Sequence, residues 1–358
     1  MSKRKIGILT SGGDCQGLNA AIRGVGKALL KEFDDDVTIY GIENGYKGLI
    51  EGNWRELTNR DFSGILSQGG TILGTSRQPF KVISKDENKI AAMKENYKKL
   101  GLDCLTVLGG NGTHKTANLL ANEGLNVVTL PKTIDNDIWN TDITFGFQSA
   151  VEVAAGALDC IHTTARSHDR VFVVEVMGHK VGWLTLFAGI AGSADAILLP
   201  EIPYDVASIA ELVNKRDQKG KHFTIVAVAE GAISVEDAQL TKKERKKKFA
   251  ADKFPSAAYR FADALSKVTN REIRVTVPGH MQRGGAPCPM DRVLSTRFGA
   301  AAANFIKEEC YGYMTAMKNG HIVPVALEDV AGKLKTVPLD SEVIAAARDL
   351  EVYFGDEK

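Results

Sequence analysis

Three glycine-rich loops, at residues 11–19, 69–77 and 109–113, interrupt the first third of the sequence. The first and third follow short apolar runs typical of buried strands and precede helical patterns. Glycines permit tight turns and close approach of the backbone, and a helix N-terminus presents free N–H groups to an anion. Because the loops of such units lie at one edge of a parallel sheet, their repetition predicts an α/β fold with a shared site.

Residues 131–137 carry two carboxylates, Asp135 and Asp137, two positions apart. The apolar run at residues 125–130 indicates a buried strand, which should end at Pro131 because proline cannot donate a ladder hydrogen bond. Ligands bind beyond the carboxyl ends of strands in open α/β sheets. In an extended stretch, residues i and i+2 face the same side, so we expect both carboxylates to face one ligand. A loop whose Asp and Asn side chains cap nearby backbone groups is the alternative.

The second half of the sequence predicts another α/β set, which leads us to expect two interleaved, Rossmann-like, three-layer α/β/α domains with mostly parallel sheets. The first domain is expected at residues 1–146 and 278–325, and the second at residues 147–277 and 326–358. A basic run at residues 242–248 is typical of a solvated helix or loop face. The strands expected in the second set are residues 171–176, 196–201, 223–230 and 274–279.

The charge balance restricts the class of partner. Lys and Arg total 45 against 44 Asp and Glu, which argues against a nucleic-acid-binding protein. No apolar run has the length of a membrane span, and the N-terminus lacks a signal-peptide pattern, so we expect no membrane partner. The scattered cysteines predict free thiols and a cytoplasmic protein. They are Cys15, Cys104, Cys160, Cys288 and Cys310.

As an ordered set, these loops resemble the 6-phosphofructokinases, a bacterial family that uses ATP or pyrophosphate. The resemblance extends over residues 6–306. Its motifs are residues 12–14, 69–77, 109–113, 131–137, 167–170 and 177–179, then Glu230, Arg274 and residues 280–285.

The resemblance implies transfer of a phosphoryl group from ATP to the 1-hydroxyl of fructose 6-phosphate, a step of glycolysis. Asp135 matches the general base that takes the proton of that hydroxyl, and Thr133 matches a residue that contacts the transferring phosphoryl group. Asp137 matches a carboxylate that orients the site and helps to hold Mg²⁺, with Asn111 as the second metal position. The positions matched to catalysis are Gly12, Thr133, Asp135, Asp137 and Arg170.

Two binding sites are also implied, for the phosphoryl donor in the first domain and for the sugar phosphate in the second. The donor positions are Gly12, Tyr46, Arg77, Gln78, Gly110, Asn111, Gly112, Thr113 and Lys132. The sugar-phosphate positions are Thr133, Ile134, Asp135, Arg170, Met177, Gly178, His179, Glu230, Arg274, His280, Met281, Gln282 and Arg283. In the family, Arg170 and Arg274 reach in from a neighbouring subunit. The resemblance therefore implies a homo-oligomer, a tetramer or a dimer, with active sites completed across subunits.

Four positions bear on the metal, the sugar and the donor. Asn111 replaces an Asp of many relatives, which removes a negative charge, although an amide oxygen can still ligate Mg²⁺ or a bound water. His179 replaces an Arg and is only partly charged near neutral pH. In the family, Gly112 leaves room for a nucleotide, whereas Lys132 is usual among pyrophosphate users and also occurs in an ATP-using subgroup. We expect ATP as the donor.

Other functions stay open at this point. One is a pyrophosphate-dependent fructose-6-phosphate 1-phosphotransferase. Another is a catalytically impaired sugar-phosphate-binding regulatory subunit, which Asn111 favours and the retention of Thr133, Asp135 and Asp137 opposes. A dinucleotide oxidoreductase fits less well, because no GxGxxG with a downstream acid is found.

Overall fold

The computed structural model describes residues 3–254 and 256–357 of the 358-residue chain. The chain divides into two compact units, Met1–Ser149 with Arg283–Lys335 and Ala150–Gln282 with Thr336–Lys358. The sequence predicts that the chain crosses between the units for the last time after residue 325. In the structure this crossing follows Lys335.

Leu327 and Val330 explain the position of this last crossing. Both side chains are buried in the core of the first unit, so the chain leaves that unit only after they are packed.

The strands, numbered in chain order, form two sheets. The first sheet contains β1 Arg4–Ser11, β2 Val37–Ile42, β3 Trp54–Leu57, β4 Cys104–Gly109, β5 Val127–Pro131, β10 Tyr313–Lys318 and β11 His321–Ala326. The second contains β6 Val171–Val176, β7 Ala196–Leu198, β8 Thr224–Ala229 and β9 Ile273–Thr276.

Most strand pairs are parallel. The first sheet has the order β11-β10-β5-β4-β1-β2-β3, and only its outer pairs, β2 with β3 and β10 with β11, are antiparallel. The second has the order β7-β8-β6-β9 with parallel pairs throughout. Strands β4, β5 and β8 are buried along their whole length, as expected for parallel strands covered on both faces.

Helices connect these strands. In chain order they are α1 Leu18–Phe33, α2 Tyr46–Glu51, α3 Phe80–Ile83, α4 Glu87–Leu100, α5 Asn111–Asn122, α6 Phe147–His168, α7 Trp183–Ala191, α8 Val206–Gln218, α9 Val235–Ala238, α10 Lys242–Ala250, α11 Ala257–Ser266, α12 Pro289–Lys307, α13 Leu327–Val330 and α14 Glu342–Asp349. Short 3₁₀ turns occupy Asp34–Asp36, Ile65–Ser67 and Gly279–Arg283.

The α/β fold with mostly parallel sheets is therefore confirmed. The strand expected at residues 196–201 ends at Leu198, before Pro200, which has no N–H to donate to the sheet. Helix α5 begins at Asn111, so part of the third glycine-rich loop is helical. The basic run forms α10, in which no described residue is buried, as predicted for a solvated helix face.

The five cysteines are free thiols in the described chain, as predicted.

Among the residues that the structure describes, no helix combines the length and the apolar character needed to cross a membrane.

Candidate active site

The loops that follow β1, β4 and β5 begin side by side at the carboxyl edge of the first sheet. Strand register aligns Ser11 with Gly109, and Gly109 with Pro131. The first and third glycine-rich loops and the turn that carries Asp135 therefore share one edge, as expected for loops that follow parallel strands.

Gly12 connects the first two glycine-rich loops. Its φ of +85° belongs to the left-handed region that favours glycine. Its N–H donates to the Ser76 carbonyl at 3.2 Å, and its carbonyl accepts from Thr75 Oγ1 at 2.7 Å. A Cβ at Gly12 would lie 3.7 Å from Thr113 Oγ1 and 3.8 Å from Lys132 Nζ. The first loop, the start of α5 and Lys132 thus meet within a few ångströms.

The N-terminus of α5 carries the predicted donor residues. Gly110 is the N-cap, and Asn111, Gly112 and Thr113 form the first turn, with no side chain of the described residues capping it. Its first N–H groups are therefore available to an anion. Buried Tyr46 donates to the Thr113 carbonyl at 3.0 Å, and burial raises the pKa of this phenol.

Arg77 and Gln78 lie in the loop that holds Gly12, directly after Ser76. Arg77 is exposed and Gln78 is half-buried. An exposed guanidinium at this position is free to approach a phosphate with its planar donor fork.

Lys132 places a cation beside the first loop. The residue is only 3% exposed, and its ammonium donates to the Gly13 carbonyl. Burial lowers the pKa of Lys132, while the nearby Asp135 and Asp14 carboxylates oppose this shift.

The turn after β5 differs from the expected extended stretch, and the expectation that i, i+2 alternation would direct Asp135 and Asp137 is wrong. Asn136 between them has a φ of +51°, in the left-handed region, so this stretch is not extended and its side chains do not alternate as in a strand. The Asp135 N–H donates to Thr133 Oγ1 at 3.0 Å, and Asn136 Oδ1 accepts from the Thr144 N–H at 3.1 Å. The local caps of the alternative interpretation therefore coexist with the predicted catalytic residues.

Ile134, in the same turn, has a completely buried side chain. Burial fixes this residue inside the turn between Thr133 and Asp135, which both retain some exposure.

Asn111 and Asp137, the predicted metal positions, are in contact. Asn111 Nδ2 donates to the Asp137 backbone carbonyl at 3.2 Å and lies 3.4 Å from its carboxylate Oδ2. Asn111 Oδ1 is buried without a hydrogen-bond partner among the described residues. An unused amide oxygen beside a carboxylate fits Mg²⁺, which takes one or two protein oxygens and completes its shell with water and phosphate. No group of three or more His, Cys, Asp or Glu in the described chain offers another metal site.

Arg283 packs against the first loop. Its Nη1 donates to the Asp14 carbonyl at 2.9 Å, and a Cβ at Gly13 would lie 2.9 Å from the same nitrogen. Its Nε is buried and lacks a partner among the described residues. Arg283 belongs to the first unit, whereas Gln282 before it belongs to the second.

In the second unit, a group of predicted sugar-phosphate residues lies at the carboxyl ends of β6 and β8. The Met177 N–H donates to Oε1 of the buried Gln282 at 3.1 Å, and the His179 N–H donates to the Glu230 carboxylate. Gly178 has a φ of +148°, which a residue with a side chain would rarely adopt. These bonds hold residues 177–179, Glu230 and Gln282 together.

His280 and Met281, from the same predicted set, lie in the 3₁₀ turn that ends at Arg283, and both are exposed. Their neighbour Gln282 is fully buried, so the Gln282 side chain anchors the turn while those of His280 and Met281 are exposed to solvent.

Arg170 and Arg274 form a separate pair at the opposite end of β6. Glu272, which sequence reasoning missed, accepts from Arg170 Nε at 2.6 Å and also pairs with Arg274. Arg170 lowers the pKa of the Glu272 carboxyl. At about 3.3 Å per residue, β6 separates this pair from residues 177–179 by roughly 15–20 Å. The only local signal for Glu272 was its i, i+2 spacing from Arg274.

His114, in α5, is fully buried directly after the predicted donor residues 110–113. Its Nδ1 lies 2.9 Å from the Gly110 carbonyl, and its Nε2 is buried without a partner in the described part of the chain. Burial lowers the pKa of His114 from 6.5 to about 4, and the charge of Lys132 adds to the effect.

We therefore expect acid to destabilise the protein partly through His114. Between pH 6.5 and about 4 the unfolded state binds a proton that the folded state excludes, so stability falls as the pH falls through this window. Lowering the pH from about 7.5 to about 5 should reduce the free energy of unfolding of the parent by about 2 kcal/mol more than that of a His114→Asn variant. The asparagine amide can still donate to Gly110. Urea unfolding at both pH values measures the difference, and equal losses in the two proteins would contradict the assignment.

Comparison with known proteins gives consistent matches along the chain. The phosphofructokinase family model matches residues 5–306. The ATP-dependent 6-phosphofructokinase of Spirochaeta thermophila is 56% identical over 360 residues, covering 99% of this chain and 98% of the relative.

Two solved structures share the fold. Phosphofructokinase from Saccharomyces cerevisiae is 31% identical with a TM-score of 0.80, covering 91% of this chain, while this chain spans 45% of that longer one. A pyrophosphate-dependent phosphofructokinase from Nitrosospira multiformis has a TM-score of 0.81 at 21% identity, with coverage of 96% and 88%.

Proposed function

This chain belongs to the phosphofructokinase family, and we propose that it transfers the γ-phosphoryl group of ATP to the 1-hydroxyl of fructose 6-phosphate, giving fructose 1,6-bisphosphate and ADP in glycolysis. One structural observation carries the residue assignments. The Gly12 loop, the uncapped N-terminus of α5 and the Thr133–Asp137 turn meet at one sheet edge of the first unit. A phosphate-binding helix end, a cation and a candidate base are thereby adjacent.

The first unit holds the donor in this proposal. The N–H groups at the start of α5 and the backbone of the Gly12 loop face the donor phosphates, and Gly112 leaves space for the nucleotide. The Lys132 ammonium and the exposed Arg77 add positive charge. Asn111 Oδ1 and the Asp137 carboxylate would hold Mg²⁺, which neutralises charge on the donor phosphates when bound.

Asp135 acts as the general base. The 1-hydroxyl oxygen bonds to the γ-phosphorus as the bond from that phosphorus to the bridging oxygen of ADP breaks, and Asp135 takes the hydroxyl proton. The Thr133 hydroxyl accepts the Asp135 N–H, so its own hydrogen can point to an oxygen of the transferring group. One hydrogen bond thus couples the base to the group that orients the phosphoryl.

The second unit holds the sugar phosphate. Glu230, His179 and His280 lie at or beyond the carboxyl ends of its strands, whereas Arg170 and Arg274 lie at the other end of β6. The roughly 15–20 Å between the two groups exceeds the length of a hexose monophosphate. Two copies of the chain can supply both groups to one ligand, which supports a homo-oligomer, a tetramer or a dimer, with shared sites. Five free thiols support a cytoplasmic location.

Product identification tests the function. The protein is incubated with ATP, Mg²⁺ and fructose 6-phosphate, and the products are followed by ³¹P NMR. We expect a new phosphate ester at C1 and one ADP for each fructose 1,6-bisphosphate. Binding of fructose 6-phosphate without turnover of either ATP or pyrophosphate would instead support a regulatory subunit.

Removing either arginine of the separate pair should weaken sugar-phosphate binding. Arg170→Ala and Arg274→Ala should each cost about 1.5–3 kcal/mol of fructose 6-phosphate binding, the range for a charged hydrogen bond. The KM for ATP should change little. Arg271→Ala is the control, because Arg271 pairs with Asp217 instead. Steady-state kinetics with each substrate varied in turn provide the measurement.

Mixing variants tests whether these arginines act across subunits. Arg170→Ala chains lack the pair's contribution, and Asp135→Asn chains lack the base. Hybrids formed after dissociation and reassociation should regain activity, because some sites then combine an intact Arg170 from one chain with Asp135 from another. Absence of recovery, or an equal loss of affinity for ATP in the arginine variants, would contradict the shared site.

A further inference from the structure

Lys335 makes a concentrated set of contacts with the turn that carries the proposed base. Its ammonium donates to Asn136 Oδ1, the Thr141 carbonyl and the Asp142 carbonyl, each at 2.9 Å. Its backbone N–H donates to the Asp137 carbonyl, also at 2.9 Å. Four hydrogen bonds from one residue therefore join the C-terminal part of the first unit to residues 136–142.

The geometry around the ammonium suits its chemistry. An ammonium has three donors and no acceptor, and here it meets three oxygen acceptors. Charged donors make stronger hydrogen bonds than neutral ones. The bridge between Ile138 and Leu334 extends the backbone pairing, so Lys335 is held in register with the turn. The side chain thus links three oxygens of residues 136–142.

The position that Lys335 contacts is conformationally demanding. Asn136 adopts a φ of +51° between Asp135 and Asp137, and a non-glycine residue keeps such a backbone when its surroundings fix it. Asn136 Oδ1 accepts from Lys335 and from the Thr144 N–H, so one side-chain oxygen receives two of the bonds that hold the turn. Without the ammonium, Asn136 Oδ1 would keep the Thr144 N–H as a donor, and the carbonyls of Thr141 and Asp142 would lose the hydrogen bond from Lys335.

We propose that Lys335 is a positioning residue for phosphoryl transfer, which fixes the Asn136 turn and so sets the places of Asp135 and Asp137. The inference rests on the proposed function. Its ammonium is bonded to Asn136, Thr141 and Asp142, and in this proposal Lys335 acts through the turn. It lies beyond residue 306, where the match to the family model ends.

Lys335→Met removes the charge and the donors while keeping an apolar stem of similar length. A displacement of about 1 Å at a reacting group can cost about 10²-fold in rate, and we expect a fall of that order in kcat. The KM for fructose 6-phosphate should stay near the parent value, because the proposed phosphate ligands lie elsewhere. Lys335→Arg, which keeps a charged donor, should restore most of kcat. Lys333→Met is the matched control, since Lys333 lies two residues away and pairs with exposed Asp329.

Hydrogen exchange supplies a readout that does not depend on activity. Amides in residues 136–144 should exchange faster in Lys335→Met than in the parent or in Lys333→Met, while β1 and β4 keep their protection. If Lys335→Met does not fold, Lys335→Gln replaces it, with the same expected fall in kcat and the same local exchange.

The outcomes separate the two claims. A parent protein without turnover of ATP and fructose 6-phosphate would overturn the proposed function. With an active parent, a Lys335→Met kcat equal to that of Lys333→Met would overturn the positioning role. A loss of kcat that only follows the folded fraction, with exchange unchanged in residues 136–144, would overturn it as well. The positioning role is supported if kcat falls selectively in Lys335→Met, if the amides of residues 136–144 exchange faster there, and if Lys335→Arg restores kcat.

Discussion

Replacing Asp135 by asparagine is expected to lower kcat by about 10²- to 10⁴-fold, the usual cost of losing a general base. The amide keeps the size of the side chain and leaves the bond from the residue 135 N–H to Thr133 Oγ1 in place. It cannot accept the proton of the 1-hydroxyl. Affinity for fructose 6-phosphate should remain near the parent value, because the proposed phosphate ligands are unchanged.

Single-turnover and binding measurements on the Asp135→Asn protein separate these effects. Asp329→Asn is a suitable control, because this exposed carboxylate of the same unit pairs with Lys333, away from the Thr133–Asp137 turn. A kcat near that of the parent would contradict the assignment of Asp135. Loss of sugar-phosphate binding together with kcat would indicate a damaged site rather than a missing base.

Gly112→Asp is expected to lower kcat/KM for ATP by about 10³-fold. An added carboxylate a few ångströms from the α-phosphate repels it by roughly 4 kcal/mol at an effective dielectric constant near 20. Each 1.4 kcal/mol corresponds to about tenfold in rate, so the loss approaches three decades. Pyrophosphate has no α-phosphate or nucleoside and should escape this clash.

Position 112 can accept a side chain without a change in the surrounding structure. Gly112 is exposed, does not have a positive φ, and no atom of the described residues lies within 4 Å of the place a Cβ would take. The substitution should therefore leave the fold intact. Gly112→Asn is the matched control, because it adds nearly the same bulk without the charge. Equal losses of ATP use in the Asp and Asn variants would contradict the electrostatic explanation.

Local patterns predicted the elements that position the candidate site. β6 has the bounds expected from its apolar run, because a parallel strand buried on both faces leaves a continuous hydrophobic signal. The glycine-rich loops follow from the same reasoning, since glycine marks positions where the chain turns sharply. Because β1, β4 and β5 pair in parallel, the loops that follow them begin at one edge of the sheet.

Features that depend on distant contacts left little or no local pattern. The left-handed conformation of Asn136 is held by Thr144 and by Lys335, which is 199 positions away. Glu272 contacts both Arg170 and Arg274 because parallel pairing of β6 and β9 brings the two arginines to the same carboxylate. The antiparallel strands β3 and β11 lie at sheet edges, where partial exposure weakens the apolar signal. Tertiary pairing, rather than residue type, determines these parts of the structure.

The ratio of kcat/KM for ATP to that for pyrophosphate, measured on the parent protein with Mg²⁺ and fructose 6-phosphate, tests the central claim most directly. Gly112 at the uncapped start of α5 leaves room for a nucleotide, and the buried Lys132 ammonium is already bonded to the Gly13 carbonyl. We predict a clear preference for ATP, with fructose 1,6-bisphosphate and ADP as products. A higher kcat/KM with pyrophosphate would contradict the claim.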